Sequence, residues 1–327
     1  MHQIARRTLL VCGCAPLFAP LAARAQRAAK IHRIGFVVPV GPGQRHDAFL
    51  RGLRELGYVE GQNYTIETRF AHGRAERLPG LIEEVIQQNV DVLVVGATAG
   101  ARAARKATTS IPVVFIGPSD PVADGIVSNL ARPEANITGV SLALGDTFAG
   151  KWLQLLKEAA PSVTHVAALT SGNSVTAASS VKVLESTAKT LNVRLDLHYA
   201  TDLPQLDKAL AAIGGSGARG LIVTSGPFWS TNQVKLVEFA ANKRLPAMYS
   251  FDDFVDAGGL MSYGPSIVDV YRRAASYVDK ILRGAKPGDL PVEQPIKFDL
   301  TINLQTARAL GLKMPQSVLL RADRVVE

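Results

Sequence analysis

From Ile31 onward the chain alternates between short unbroken apolar runs and longer stretches where apolar positions recur every three or four residues. The first pattern suits a strand buried on both faces, the second an amphipathic helix. Residues 34–38 predict a strand. Phe49, Leu50, Leu53 and Leu56 predict the helix after it, stopped at Gly57. Residues 64–70 alternate as a second strand. Leu81, Ile82, Val85 and Ile86 mark a second helix, 90–95 a third strand and 101–107 an Ala-rich helix. Residues 113–116 predict a fourth strand opened by Pro112, a position where proline is tolerated.

The pattern then restarts. Trp152, Leu155 and Leu156 share a helix face, and strands at 166–169, 193–199, 221–224 and 247–250 alternate with helices at 175–191, 203–213 and 234–242. Strands alternating with helices imply parallel sheets covered on both faces. Two successive runs imply two such sheets. After Ser250 the order breaks: a Gly-bounded strand at 258–264, one long helix at 267–282, an extended path through Pro287, Pro291 and Pro295, a strand at 298–302, and a short helix capped by Asn303. This late material reads as additions to each half in turn.

The chain has 327 residues, 47% hydrophobic and 20% charged, enough for about two domains with full cores. Both cysteines, Cys12 and Cys14, precede that pattern, so it holds no disulfide framework or Cys/His zinc cluster. Residues 1–25 read as a cleavable signal peptide: Arg6-Arg7, an apolar run over 9–23 with two prolines, then Ala23-Arg24-Ala25. That run falls short of the ~20 residues a membrane span needs. The Arg pair fits the twin-arginine route as well as an ordinary signal. A lipid anchor on Cys14 is the second reading, served by only a very short apolar run before it. The localisation expected is periplasmic. Cleavage lowers the formal charge from +8 to +5, since Arg6, Arg7 and Arg24 leave and no acid does. Lys and Arg are scattered along the rest, which argues against nucleic acid as a partner.

Catalytic motifs fail on context. Gly215-Ser216-Gly217-Ala218-Arg219-Gly220 fits the dinucleotide-binding glycine pattern by letter but precedes a strand, where that fingerprint must follow one. Gly41-Pro42-Gly43 does follow a strand, yet His46 stands at the third glycine position and Pro42 has no N–H for a phosphate. Ser179-Ser180-Val181-Lys182 lacks the companion motifs of β-lactamase-like enzymes. His32, His46, His72, His165 and His198 are dispersed. No catalytic residue, cofactor or metal is assigned, and the chain is expected not to be an enzyme.

Ligands of open α/β sheets bind beyond the carboxyl ends of the strands. There the sequence keeps small polar residues: Thr98 and Ala99, Ser119 and Asp120, Ser171, Asn173 and Ser174, Ser225, Gly226 and Phe228, and Asp252 and Asp253. Hydroxyls and helix-start N–H groups suit a carboxylate, an unpaired aspartate suits an ammonium, and Phe228, Trp229 and Phe251 suit a ring. The same residue types also serve caps and turns; only the two sets, one per half, favour a ligand.

Beyond these features, several segments carry a resemblance. They are Ser119-Asp120-Pro121-Val122, Asn136-Ile137-Thr138-Gly139-Val140, the strand at 258–264, Tyr271-Arg272-Arg273-Ala274-Ala275, the stretch 280–287, and Leu290-Pro291-Val292-Glu293-Gln294-Pro295. With the leader and two α/β halves, the chain resembles the ABC-transporter substrate-binding proteins that include tryptophan- and tyrosine-binding lipoproteins. It departs from them in the first loop, Gly41-Pro42-Gly43. The resemblance implies an α/β class I periplasmic-binding-protein fold, two doubly wound parallel-sheet lobes joined by three crossovers. Lobe one is expected at 31–142 plus 253–282 and lobe two at 143–252 plus 283–327, with hinges near 141–142, 250–251 and 282–283. The function implied is a monomeric receptor of an ABC importer. It closes on a small amino-acid-like or aromatic solute and hands it to a membrane permease with its ATPase. Two other readings stand beside it: a sensor partner of a membrane receptor, and an exported hydrolase.

Overall fold

The computed structural model describes residues 30–133, 135–144, 147–172 and 175–327. The expected signal peptide and the Cys14 lipid site lie outside the described residues. Among those described, no helix is long and apolar enough to cross a membrane.

The first half runs β1 (His32–Val38), α1 (Gln44–Glu55), β2 (Tyr64–Phe70), α2 (Leu78–Ile86), β3 (Val92–Gly96), α3 (Ala97–Ala107), β4 (Val113–Ile116) and β5 (Ile137–Val140). Its strands form one parallel sheet in the order β2-β1-β3-β4-β5. The central strands β3 and β4 are buried along their whole length, as their uninterrupted apolar sequences require.

The second half begins α4 (Thr147–Ala159), β6 (His165–Thr170), α5 (Val175–Thr190), β7 (Arg194–Tyr199), α6 (Leu203–Gly215) and β8 (Gly220–Val223). It continues α7 (Pro227–Thr231), α8 (Gln233–Asn242), β9 (Ala247–Tyr249), α9 (Asp253–Asp256) and β10 (Met261–Gly264). The long helix α10 (Ile267–Leu282) follows, then β11 (Asp299–Asn303), α11 (Leu304–Ala309), α12 (Gln316–Leu319) and β12 (Arg324–Val326). The second sheet has the order β12-β11-β10-β9-β8-β6-β7, parallel except between β10 and β11. Asn303 caps α11 as its sequence position predicts, its Oδ1 accepting from the Thr306 N–H at 3.0 Å.

The two sheets correct the expected boundaries. Residues 253–264 were expected in the first half, yet β10 is hydrogen-bonded to β9 and β11 in the second sheet. The second crossing therefore follows Gly264, not Ser250. Residues 283–293 were expected in the second half, yet they stay with the first. Thr138 Oγ1 donates to the Leu290 carbonyl at 2.7 Å, the Val292 N–H to Leu130 at 2.7 Å, and the Glu293 N–H to Gly139 at 2.9 Å. The third crossing lies between Glu293 and Asp299. The first follows Leu142, whose N–H donates to the Pro118 carbonyl of the first half at 2.9 Å.

α10 binds the first half through α1 and strands β3, β4 and β5. Its helix crossing is tight. A Cβ on Gly52 would stand 2.5 Å from the Arg272 carbonyl oxygen and 2.8 Å from the Ala275 Cβ, so only a glycine fits. One apolar core runs through both sheets, and a second fills the outer layer of the first half between α2, α3 and its sheet.

Candidate functional site

The carboxyl ends of both sheets turn toward one another and enclose a cavity of about 480 Å³. The ends of β1, β3 and β4 contribute Pro39 and Val40, Ala97 to Ala99, and Gly117 and Ser119; the ends of β6 and β8 contribute Thr170, Ser171, Thr224 and 225–229. Leu142, Leu144, Ile267 and Tyr271, beside the crossings, close the back. Both tryptophans of the chain, Trp152 and Trp229, are on the wall.

The first wall is built around the start of α3. The Ala-rich pattern predicts this helix from residue 101, but it begins at Ala97. Thr98 and Ala99 are thus its first turn, not a loop. Gly96 at its N-cap is extended and offers no side-chain acceptor, and Ala97 sits at φ +61°. The first-turn N–H groups therefore face the cavity end of the helix uncapped, where the helix dipole favours negative charge. The Thr98 hydroxyl is already used: it donates to Asp124 Oδ2 at 3.0 Å. Asp124 is buried and also accepts from Arg102 Nη2 at 3.3 Å.

The second wall carries two buried polar atoms with no hydrogen-bond partner, Thr170 Oγ1 and Trp229 Nε1, each on a residue only 1% exposed. A buried indole N–H is a donor and nothing else, and leaving it unpaired costs desolvation free energy. Phe228 meets Trp229 edge-on at 5.1 Å between ring centroids. The stretch 225–229, read as a loop, is partly the short helix α7.

Of the twelve residues singled out in the sequence, seven are on the wall: Thr98, Ala99, Ser119, Ser171, Ser225, Gly226 and Phe228. Asn173 and Ser174 lie outside the described residues. The aspartates are not on the wall. Asp120 closes its own turn, its Oδ1 accepting from the Val122 and Ala123 N–H groups at 3.0 and 2.9 Å. Asp252 sits before α9, where burial and then the charge of Asp253 push its carboxyl above the ordinary range. Asp253 Oδ2 is held at 2.7 Å by Arg45. The unpaired aspartate expected for an ammonium is thus not among these three. Among the described residues, the charges on the wall are Arg45, Glu76 and Asp202. Glu76 is exposed, and Asp202 caps α6, accepting from the Gln205 N–H at 2.8 Å.

Sequence reasoning left out Arg45, Tyr271 and Trp152 as site residues, while Trp229, expected to pack a ring, is on the wall. Arg45 follows the odd turn Gly41-Pro42-Gly43, which was a usable signal. Tyr271 lies on the apolar stripe of α10 and reads as core. The Ser179-Ser180-Val181-Lys182 quartet lies within α5; Ser180 reaches the cavity wall and Lys182 is exposed.

Comparison with known proteins adds four relations. The family model described as ABC transporter substrate binding protein matches residues 37–326. A tyrosine-binding protein of Clostridioides difficile (strain R20291) is 24% identical over 271 residues, covering 81% of this chain and 76% of that protein. Two solved structures share the fold. A conserved domain protein from Vibrio cholerae superposes with a TM-score of 0.82 at 27% identity, covering 90% of this chain and 100% of the other. An ABC domain from Streptococcus pneumoniae in complex with L-Trp superposes with a TM-score of 0.81 at 23% identity, covering 91% and 100%.

Proposed function

The chain belongs to the ABC transporter substrate binding protein family, and on that premise we propose that it is the periplasmic solute receptor of an ABC importer. It captures a small amino-acid-like or aromatic solute as a monomer and presents it to a permease coupled to an ATPase. The observation that carries this reading is the cavity of about 480 Å³ between the strand ends of two sheets. Its size suits a single small ligand.

The walls divide the work by chemistry. The uncapped start of α3 and the seryl hydroxyls suit a carboxylate. Trp229, Phe228 and Phe251 suit an apolar body or ring, and the Trp229 N–H can donate to a polar acceptor on the solute. A tyrosine-binding relative and a tryptophan-bound structure of the same fold support a solute of this class. Closure is a hinge motion at the three crossings. A solute favours the closed form only through contacts made to both halves at once; equal affinity for both forms would shift nothing. Residues 1–25 supply the export signal.

The test is a thermal-shift and tryptophan-fluorescence screen against aromatic amino acids, aromatic acids and nucleosides. Both tryptophans line the cavity, so the emission reports its occupancy directly. A solute at a hundred times its Kd stabilises by about 2.7 kcal/mol, which raises Tm by roughly 4–5 °C for a protein of this size. A folded protein that responds to none of these solutes in either measurement would refute the proposal.

A further inference from the structure

We propose that Arg45 is a latch across the cleft, one that draws the two halves together before any solute contributes and thereby sets how tightly solute is held. Its side chain belongs to the first half, at the start of α1, and reaches Asp253 and Ser230 on the second, besides a hydrogen bond to the Tyr271 hydroxyl of α10. Nη2 donates to Asp253 Oδ2 at 2.7 Å and to Ser230 Oγ at 2.8 Å. The guanidinium lies 5.5 Å from the centroid of Phe251, within range of a cation–π contact. Arg45 and Asp253 are 13% and 16% exposed, so the pair is largely shielded from water.

The sequence prepares this contact. Gly43, just before α1, has φ +146° and ψ −160°, a region open essentially to glycine alone. A Cβ there would meet nothing within 4 Å, so the requirement is conformational and not one of space. Gly41-Pro42-Gly43, which serves no phosphate, is the turn that sends Arg45 over the cleft. On the opposite side Asp253 is fixed as the first residue of α9, its carbonyl accepting from the Gln233 side-chain amide. A second approach flanks the latch: Gly73, in the loop after β2, lies so near α7 that a Cβ on it would be 3.1 Å from Thr231 Cγ2.

The physical consequence follows from where each charge goes. With the halves apart, both Arg45 and Asp253 return to water. With them together, the two charges satisfy one another. Removing one partner leaves the other desolvated and unpaired only in the closed form. Each single variant therefore shifts the equilibrium toward the open form, on the order of tenfold or more.

The experiment needs no solute, so its failure would leave the solute-receptor reading standing and the reverse also holds. Small-angle X-ray scattering is recorded on the full chain after exhaustive dialysis, for the wild type, Arg45→Ala, Asp253→Asn, Ser230→Ala and the double variant Arg45→Ala/Asp253→Asn. Far-UV circular dichroism establishes which variants fold, and Ser230→Ala, the mildest change, keeps the test alive should another fail. The expected result is a compact wild type, a larger radius of gyration for each single charge variant and a smaller increase for Ser230→Ala. The double variant opens no further than either single. Superimposable curves for the wild type and the folded variants, or opening that adds up in the double variant, would overturn the latch.

Discussion

His46 shows how one ring ties stability to pH. It packs between Phe36, at 5.2 Å, and Phe70, edge-on at 5.4 Å, and its buried Nε2 has no hydrogen-bond partner. Burial holds its pKa below the ordinary histidine value, against the smaller upward pull of Asp47 and Glu60. His198 is lowered in the same way, again by burial and against Asp196. The unfolded chain takes up these protons more readily than the folded one. Stability is therefore full above the ordinary histidine pKa and is lost as pH falls through it toward the lower folded values. Urea midpoints are expected to decline between pH 7.5 and 5.5, and His46→Phe, which suits its aromatic surroundings, is expected to flatten part of that slope. Trp229 gives a second test at this scale. Trp229→Phe keeps most of the ring and removes an unpartnered N–H, so stability is expected to change by no more than about 1 kcal/mol. Affinity for a solute found in the thermal screen is expected to fall about tenfold, as titration calorimetry would measure. Legibility at this scale followed location and not pairing. Seven of the twelve chosen residues lie on the cavity wall because the strand-end rule is geometric. The aspartates went astray because a strand-end position does not reveal a side chain's partners: Asp120 is taken by its own turn, and Asp253 is held by a residue 208 positions away.

Elements were most legible where period and length agreed. Residues 64–70 and the helices from 203 and 267 match the structure to within about two residues, because long periodic stretches specify themselves. Some short elements were not legible, although β4 stands at Val113–Ile116 as expected. β5, α7 and β12 have four, five and three residues, too few to display a period, and they exist through pairing with distant chain. The early start of α3 was hidden for another reason: Gly96 and Ala97 carry no capping signal. The crossing of α1 and α10 offers a prediction that separates space from backbone freedom. Gly52→Leu drives a side chain into the Arg272 carbonyl and Ala275, and is expected to cost about 1–3 kcal/mol of stability. Gly80→Ala, within α2 where a Cβ meets nothing within 4 Å, is expected to stabilise by about 0.5–1 kcal/mol. Denaturant unfolding of the two variants beside the wild type measures both signs in one experiment.

For the whole molecule, the two α/β halves were legible because two runs of alternating strand and helix each fill a sheet. The crossings were not, since a strand such as Met261–Gly264 reads alike whichever sheet receives it. Its place is decided by hydrogen bonds to β9 and β11. The same logic moves the third hinge. Residues 290–293 are pinned to the first half by backbone bonds to Leu130, Gly139 and Ser141, and by the Tyr277 hydroxyl donating to the Pro291 carbonyl at 2.6 Å. Burial, with Glu293 adding to it, pushes that hydroxyl up to about 12, so it stays a donor at any physiological pH. Beyond Glu293 the chain leaves the first half's surface: Ile296 is 95% exposed. Closure should therefore bend the chain at 294–298 and leave 290–293 moving with the first half. Hydrogen exchange is expected to be slow at the Val292, Glu293 and Ser141 amides and fast at Ile296 and Lys297. Tyr277→Phe, which costs about 0.5–1.5 kcal/mol for the lost hydrogen bond, is expected to speed exchange across 290–293 while leaving the cavity wall protected. Uniformly fast exchange from 287 to 298 in the wild type would instead return the hinge to the end of α10.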